Sequence, residues 1–95
     1  MALLKRGEER YNIYCSACHG VSGNGAGITA RFGVPGIANL TGTPYAATAY
    51  PDGRLFEVIT KGKGNMSGYG YNIPVRDRWA IIAYVRTLQA AKEAK

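Results

Sequence analysis

The chain has 95 residues, which suits one small domain spanning residues 1–95, near the lower limit for a chain that must build its own core. Twelve Lys and Arg stand against six Asp and Glu, a net charge of +6 with neutral histidine, but the basic residues are scattered. This scatter and the missing nucleic-acid fold signature exclude nucleic acid as the expected partner, and without a run of about eighteen apolar residues no membrane-spanning segment is predicted.

A first helix is predicted from about Leu3 to Cys18. Its apolar stripe recurs at steps of three or four residues, at Leu4, Gly7, Tyr11 and Tyr14. A glycine inside a helix costs about 1 kcal/mol relative to alanine, so Gly7 is either merely tolerated or required by a second helix that crosses closely. We expect the crossing, because a partner helix is predicted near the C terminus.

The run Cys15-Ser16-Ala17-Cys18-His19 is the strongest chemical signal in the chain. Two thiols separated by two residues, with an imidazole directly after the second, are what covalent attachment of a c-type haem needs. The thiols add across the two vinyl groups, and the following imidazole reaches one axial face of the iron. The sequence therefore predicts one iron-containing haem c (heme c), attached through Cys15 and Cys18, with His19 as an axial ligand.

A Cys-X-X-Cys pair also occurs in thiol-redox sites and in zinc sites. A zinc site needs four ligands, and the chain has no further cysteine or histidine. A thioredoxin-like site needs alternating strands and helices around it, and no such pattern is found. Covalent haem is therefore the leading interpretation, and thiol-redox chemistry is the main alternative.

The next segment contains four glycines between Gly20 and Gly27, as expected where backbone passes close to a flat macrocycle. The other ring N–H of His19 needs an acceptor that fixes the orientation of the ring. The backbone carbonyl of Pro35 is the candidate acceptor, although the Gly-Val-Pro-Gly sequence around it equally suits a plain turn.

A short helix is predicted from Gly53 to Thr60, with Asp52 as its N-cap and Leu55, Phe56 and Ile59 on one face. Several side chains in this helix and in the loops around it are able to donate a hydrogen bond to a haem propionate, namely Tyr45, Tyr50, Tyr69, Tyr71, Arg31 and Arg54. The sequence alone does not choose among them. We expect Tyr71 to be among the residues that contact the cofactor.

Met66 lies in a flexible loop between two predicted helices. No second histidine exists, and Met1 starts the chain, so Met66 is the natural candidate for the sixth iron ligand. A lone methionine is usually core filler, but this one lies among polar residues and glycines rather than on an apolar face. A neutral thioether stabilises ferrous iron and closes the coordination sphere, which favours electron transfer. Lys61 and Lys63 compete only when deprotonated.

The closing helix is predicted to start with Pro74 at its first position and to carry Asp77 in its first turn. Its apolar face is broad enough to contact both a helix and a cofactor edge. Two adjacent stripes form this face, Val75-Trp79-Ile82-Ala83 and Ile81-Val85-Leu88. Trp79 is large enough to lie against a haem, with its indole N–H near a propionate, and plain core packing explains it equally well.

Taken together, these residues resemble the class I cytochrome c family. The resemblance covers nearly the whole chain, through Gly7 and Tyr11, the Cys-X-X-Cys-His run, Met66, Trp79 and Tyr84-Val85. It implies a small all-α fold in which the terminal helices cross near Gly7 and loops wrap around one covalent haem. It also implies axial ligation by His19 and Met66. Many relatives have proline after the ligand methionine, whereas this chain has Ser67.

A more particular similarity lies in two stretches, Tyr11 to Cys15 and Ile73 to Ile81. They are similar to the monohaem cytochrome subunit of bacterial alternative complex III and to related small carriers. This similarity implies a carrier without catalytic residues that moves electrons from a quinol-oxidising complex to a terminal oxidase. Because covalent haem is normally attached outside the cytoplasm, we expect a periplasmic chain that has lost its export signal. A lost lipid anchor would leave no trace in the sequence.

Two other functions stay open. A haem enzyme or gas sensor with a labile sixth position would want a distal acid–base group, typically a second histidine, which the chain lacks. The chain also suits a domain or subunit of a larger respiratory complex. The basic residues form a solvated face or steer docking onto an acidic partner, and they include Lys5, Arg6, Arg10, Lys61, Lys63, Arg76, Arg78, Arg86, Lys92 and Lys95.

Overall fold

A computed structural model describes residues 2–20, 22–27, 37, 39–63, 66–70 and 72–93. Its helices are α1 (Ala2–Tyr14), the single turn α2 (Ser16–His19), α3 (Asp52–Lys61) and α4 (Val75–Glu93), with a 3₁₀ turn at Thr43–Tyr45. Strands β1 (Gly62–Lys63) and β2 (Met66–Ser67) pair antiparallel, with Lys63 opposite Met66. The all-α class predicted from the sequence is confirmed, and the short strand pair and the 3₁₀ turn were not predicted.

Helices α1 and α4 cross at Gly7. A Cβ atom on Gly7 would overlap the carbonyl oxygen of Ala80, and it would lie 2.7 Å from the Ala80 carbonyl carbon and 3.1 Å from Cβ of Tyr84. One turn further along α1, the rings of Tyr11 and Tyr84 have centroids 5.4 Å apart. The predicted crossing is therefore confirmed, because only a residue without a side chain lets the two backbones approach this closely.

An ion pair joins the same two helices at their N-terminal ends. Arg6 donates from Nε and Nη2 to the two carboxylate oxygens of Asp77, at 2.9 and 3.0 Å. Asp77 is buried, whereas about half of the Arg6 side chain is exposed. The hydrogen bond from Arg6 is the largest cause that lowers the pKa of Asp77, and the charges of Arg6, Arg10 and Arg76 add to it. The carboxylate is thus held in its charged form.

The pH dependence of stability should report this ion pair. Because the folded-state pKa of Asp77 lies below its unfolded value of about 3.9, its stabilisation is present at neutral pH and is lost as pH falls below about 4. We expect the free energy of unfolding of wild type to exceed that of Asp77→Asn near pH 7, and the difference to shrink in acid. Denaturant titrations of both haem-loaded proteins at stepped pH measure it. A difference that is constant down to about pH 2 would contradict the assignment.

The apolar core lies where α1, α3 and α4 meet. Its buried members are Tyr11, Cys15, Tyr50, Leu55, Ile59, Ile73, Ile81, Ile82 and Val85. The side chain of Cys15 is part of this core rather than of the surface, which places one of the two predicted attachment points against apolar material.

Several predicted boundaries are wrong by a turn or less. Helix α1 ends at Tyr14, because Cys15 has φ −114° and interrupts the helix before α2 begins. Helix α3 begins at Asp52 itself, with Pro51 in the N-cap position, and the Asp52 carboxylate accepts a hydrogen bond from Nε of Arg86 at 2.8 Å. The N-cap prediction for Asp52 is therefore wrong, because its carboxylate bonds to Arg86 and does not cap the helix.

The two predicted apolar stripes of α4 differ in their exposure. The helix begins one residue after Pro74. The stripe at Ile81 and Val85 is buried, but Val75 and Trp79 are 53% and 42% exposed. Ile82 of the same stripe is buried, so the stripe faces solvent only at its first two residues, because α4 presents the side containing Ala80 to α1.

Candidate haem-attachment site

The two cysteines and the histidine lie within a single helical turn at the end of α1. The backbone N–H of Cys15 still donates to Tyr11 of α1, at 2.8 Å. The carbonyl of Cys15 then accepts from the N–H groups of Cys18 and His19, at 3.2 and 2.9 Å. Backbone hydrogen bonds thus fix the three site residues relative to one another and to α1.

The loop after His19 folds back over the end of this turn. Its conformation requires glycine, because three residues have positive φ values of 82°, 79° and 85°, at Gly20, Gly23 and Gly25. The N–H of Gly25 donates to the carbonyl of His19 at 2.8 Å, and that of Gly27 donates to Cys18 at 3.2 Å. The loop thereby satisfies carbonyls that the end of a helix leaves without partners.

Tyr11 ties this loop to the core. Its hydroxyl, fully buried, donates to the carbonyl of Gly20 at 2.7 Å. Burial raises the pKa of Tyr11, so the hydroxyl stays protonated and donates over the physiological pH range. The sequence placed Tyr11 on the apolar stripe of α1, and the structure adds this hydrogen bond to the residue that directly follows His19.

Both thiols are free, and Cys15 is buried while Cys18 is half-buried. Burial first, and the neighbouring Cys18 second, raise the pKa of the Cys15 thiol to about 12. A thiol-redox pair usually contains a cysteine whose pKa is lowered, so the environment of Cys15 disfavours that alternative. Among the described side chains, no group of three His, Cys, Asp or Glu is placed to hold a metal ion. The donor set of two free thiols and an adjacent imidazole, set against an apolar core, fits covalent haem c.

Met66 lies in the strand pair β1–β2 rather than in an irregular loop, and its side chain is half-buried. The chain after it is attached to the end of α3. The N–H of Tyr69 donates to the carbonyl of Ile59 at 2.6 Å. A Cβ on Gly68 would lie 2.6 Å from the carbonyl oxygen of Thr60, so this approach also requires glycine. The position of residues 66–70, the Met66 segment, is therefore set by α3.

Tyr69 connects the Met66 segment with the helical turn of residues 15–19, the cysteine turn. Its ring lies 5.7 Å, centroid to centroid, from the ring of Tyr14 at the end of α1. Burial raises the pKa of Tyr69, and the nearby Cys15 and Cys18 thiols raise it further. The segment that follows Met66 and the cysteine turn thus lie on the same side of the core, and axial ligation by Met66 stays a prediction.

The other predicted cofactor contacts have different outcomes. Trp79 stacks on Phe56, with ring centroids 4.3 Å apart and an interplanar angle of 17°. Its contact with a haem stays a prediction. Pro35, the predicted acceptor for His19, and Tyr71 both lie outside the described residues. Tyr50 is buried, and the guanidinium of Arg54 lies 4.6 Å above its ring.

Sequence reasoning missed two structural arginines of α4, which it grouped with the solvated basic residues. Arg78 is only 8% exposed and donates to the carbonyl of Ile73 at 2.8 Å. Arg86 donates to the carbonyls of Tyr45 and Tyr50, at 2.6 and 2.5 Å. A signal existed for Arg78, because it stands at helical spacing with buried residues of one stripe, at Ile82, Val85 and Gln89.

The family model described as cytochrome c oxidase, cbb3-type, subunit III, matches residues 2–85 of the chain. The matched range contains α1, the cysteine turn, α3, the Met66 strand pair and the first half of α4. No curated protein matches the chain. The match confirms the class I c-type cytochrome resemblance and its covalent haem. The more particular similarity to the cytochrome subunit of alternative complex III stays a prediction.

Proposed function

We propose a one-electron carrier of a respiratory chain, from the premise that this chain belongs to the family described as cytochrome c oxidase, cbb3-type, subunit III, a family of c-type cytochromes. The observation that carries the proposal is the placement of Cys15, Cys18 and His19 within one hydrogen-bonded turn beside the core. The haem c held there supplies the one-electron chemistry. The polypeptide holds the haem, limits access of water and tunes the reduction potential.

Each site residue has a separate task in this proposal. Cys15 and Cys18 would hold the haem covalently, and the imidazole of His19 would be a ligand of its iron. Met66 would supply the second protein ligand through its thioether sulfur. A coordination sphere closed by a histidine and a methionine favours electron transfer over chemistry at an open site, and the soft sulfur raises the reduction potential. Apolar side chains of α3 and α4 would exclude water from the surroundings of the haem, and this exclusion also raises the reduction potential.

The charges that remain exposed suit an acidic redox partner. Arg78 and Arg86 bond to carbonyl groups of the chain itself, and Arg6 is paired with Asp77, so these three are less available for docking. Exposed basic residues remain on several elements, at Lys5, Arg54, Lys61, Lys63 and Arg76. Their positive field would orient the approach of an acidic surface and accelerate association at low salt.

We place the carrier between a quinol-oxidising complex and a terminal oxidase, on the outer side of the cytoplasmic membrane. The name of the matched family adds a second possibility, a permanent subunit of an oxidase. None of the described helices is long and apolar enough to cross a membrane.

Substitution of Met66 tests the proposal. The ferric haem-loaded protein should show the charge-transfer band of a methionine sulfur bound to iron, and Met66→Ala should abolish the band and lower the reduction potential. Cyanide should bind rapidly to Met66→Ala and slowly to wild type. Optical spectra, a redox titration and cyanide mixing at neutral pH measure these three effects.

Lys63→Ala is the matched control, because Lys63 faces Met66 in the strand pair. It should retain the band at neutral pH. If untreated wild type binds cyanide or carbon monoxide rapidly at neutral pH and shows no such band, the chain is a sensor or enzyme with an open sixth position, and the carrier proposal fails.

A further inference from the structure

Arg78 is a buried cation whose described hydrogen-bond partners are all uncharged. Its guanidinium donates from Nε to the carbonyl of Ile73 at 2.8 Å, from Nη1 to Oγ1 of Thr60 at 3.0 Å, and from Nη2 to the carbonyl of Gly70 at 2.8 Å. The ring of Phe56 lies on one face of it, 5.3 Å from the guanidinium carbon. Because the planar guanidinium group donates to three separate acceptors, it fixes the positions of those acceptors relative to one another.

The three acceptors belong to two segments of the chain, and the contact between these segments fixes the position of Met66. Thr60 lies in the last turn of α3, and Gly70 and Ile73 lie in the segment that leads from β2 to α4. The same contact contains the hydrogen bond from the N–H of Gly70 to the carbonyl of Thr60, at 3.2 Å. Arg78, in the first turn of α4, therefore connects the C-terminal end of the Met66 segment to α3.

We propose that Arg78 is the positioning residue for Met66, so that it controls how firmly the thioether stays on the iron. This inference rests on the proposed function, in which Met66 is the sixth ligand. Without the guanidinium, the segment after Gly68 stays attached to α3 mainly through the backbone hydrogen bonds of Tyr69 and Gly70, so the strand pair that carries Met66 is held less firmly. The sulfur should dissociate more often, and an external ligand should enter more readily.

A purely structural arginine would behave differently, and α4 provides the comparison. Arg86 lies two turns further along the same helix and also donates to backbone carbonyls, at Tyr45 and Tyr50. It additionally bonds to Asp52 and Gln89. None of the hydrogen bonds described for Arg86 reaches the Met66 segment. Loss of either guanidinium group should destabilise the protein, but only loss of the Arg78 guanidinium should make Met66 dissociate more often from the iron.

The test compares Arg78→Lys with Arg86→Lys in the ferric haem-loaded proteins. Lysine keeps the charge but cannot reach three acceptors at once. We expect cyanide to bind to Arg78→Lys faster than to wild type by about tenfold, the factor that matches one lost charge-assisted hydrogen bond. The methionine charge-transfer band should weaken in the same variant. Arg86→Lys should stay within about twofold of wild type in cyanide binding, even where both variants unfold at lower denaturant.

Thr60→Val is a milder variant that removes one acceptor and keeps the shape, for the case in which Arg78→Lys does not fold. Its expected effect is cyanide binding about threefold faster than in wild type. Equal cyanide rates in Arg78→Lys and Arg86→Lys, or an unchanged rate in Thr60→Val, would overturn the inference while leaving Met66 as the ligand. Absence of the band in wild type would instead refute the proposed ligation itself, and with it the role of Arg78.

Discussion

Replacing Gly7 with alanine is expected to lower the free energy of unfolding by about 2 kcal/mol or more, against the usual preference for alanine in helices. The added Cβ would overlap the carbonyl oxygen of Ala80, and a backbone atom cannot rotate away as a flexible side chain can. The two terminal helices would have to separate, which exposes the buried Tyr11 and weakens its hydrogen bond to Gly20. Denaturant unfolding of the haem-loaded protein measures the loss.

Gly53→Ala is the matched control, because the substitution is identical and also lies in a helix. A Cβ on Gly53 would have no heavy atom within 4 Å, so only helix propensity should act. This variant is expected to gain up to about 1 kcal/mol. If Gly7→Ala were as stable as wild type, or if the two variants shifted in the same direction, the close crossing of α1 and α4 would be wrong.

Replacing Cys15 and Cys18 together with serine is expected to have the largest effect of any change in the site. Serine cannot form the thioether bonds, and a hydroxyl in place of the buried Cys15 thiol adds a polar group to the core. A 95-residue chain with 13 glycines then loses its covalent cofactor and much of its apolar centre. We expect a colourless and poorly folded chain, with most of the helical circular dichroism signal lost at 25 °C.

The single variant Cys18→Ser serves as the control, since it keeps the buried Cys15 as one attachment point. It should retain some haem and a measurable unfolding transition, at lower stability than wild type. Haem absorbance per chain and circular dichroism distinguish the two variants. A double variant with a normal haem content would show that the thioether bonds are not needed to hold the haem, and a fully helical double variant without haem would show that the fold does not need it.

The features that the sequence predicted correctly depend on short-range spacing. The Cys-X-X-Cys-His run encodes its chemistry in five adjacent residues, so no tertiary information was required to interpret it. Gly7 was informative because glycine is costly inside a helix unless a close contact requires it. Helical periodicity in the two terminal segments gave their class, and the structure changed their ends by only a few residues.

The features that the sequence missed depend on hydrogen-bond partners that local sequence patterns do not reveal. Asp52 looked like an N-cap, but its carboxylate bonds to Arg86, 34 residues later. Arg78 looked like a surface charge because its acceptors are mainly backbone carbonyls, and carbonyls leave no mark in a sequence.

Extraction of the purified wild-type protein with acidified acetone is the most direct test of the central claim. The solvent removes haem that is held by axial ligands alone, but it leaves haem that is bound through thioethers to Cys15 and Cys18. The red pigment should stay with the precipitated chain, while parallel Cys15→Ser, Cys18→Ser double-variant material should carry none. Pigment that passes into the acetone layer from wild type, or a colourless wild-type protein, would contradict the account.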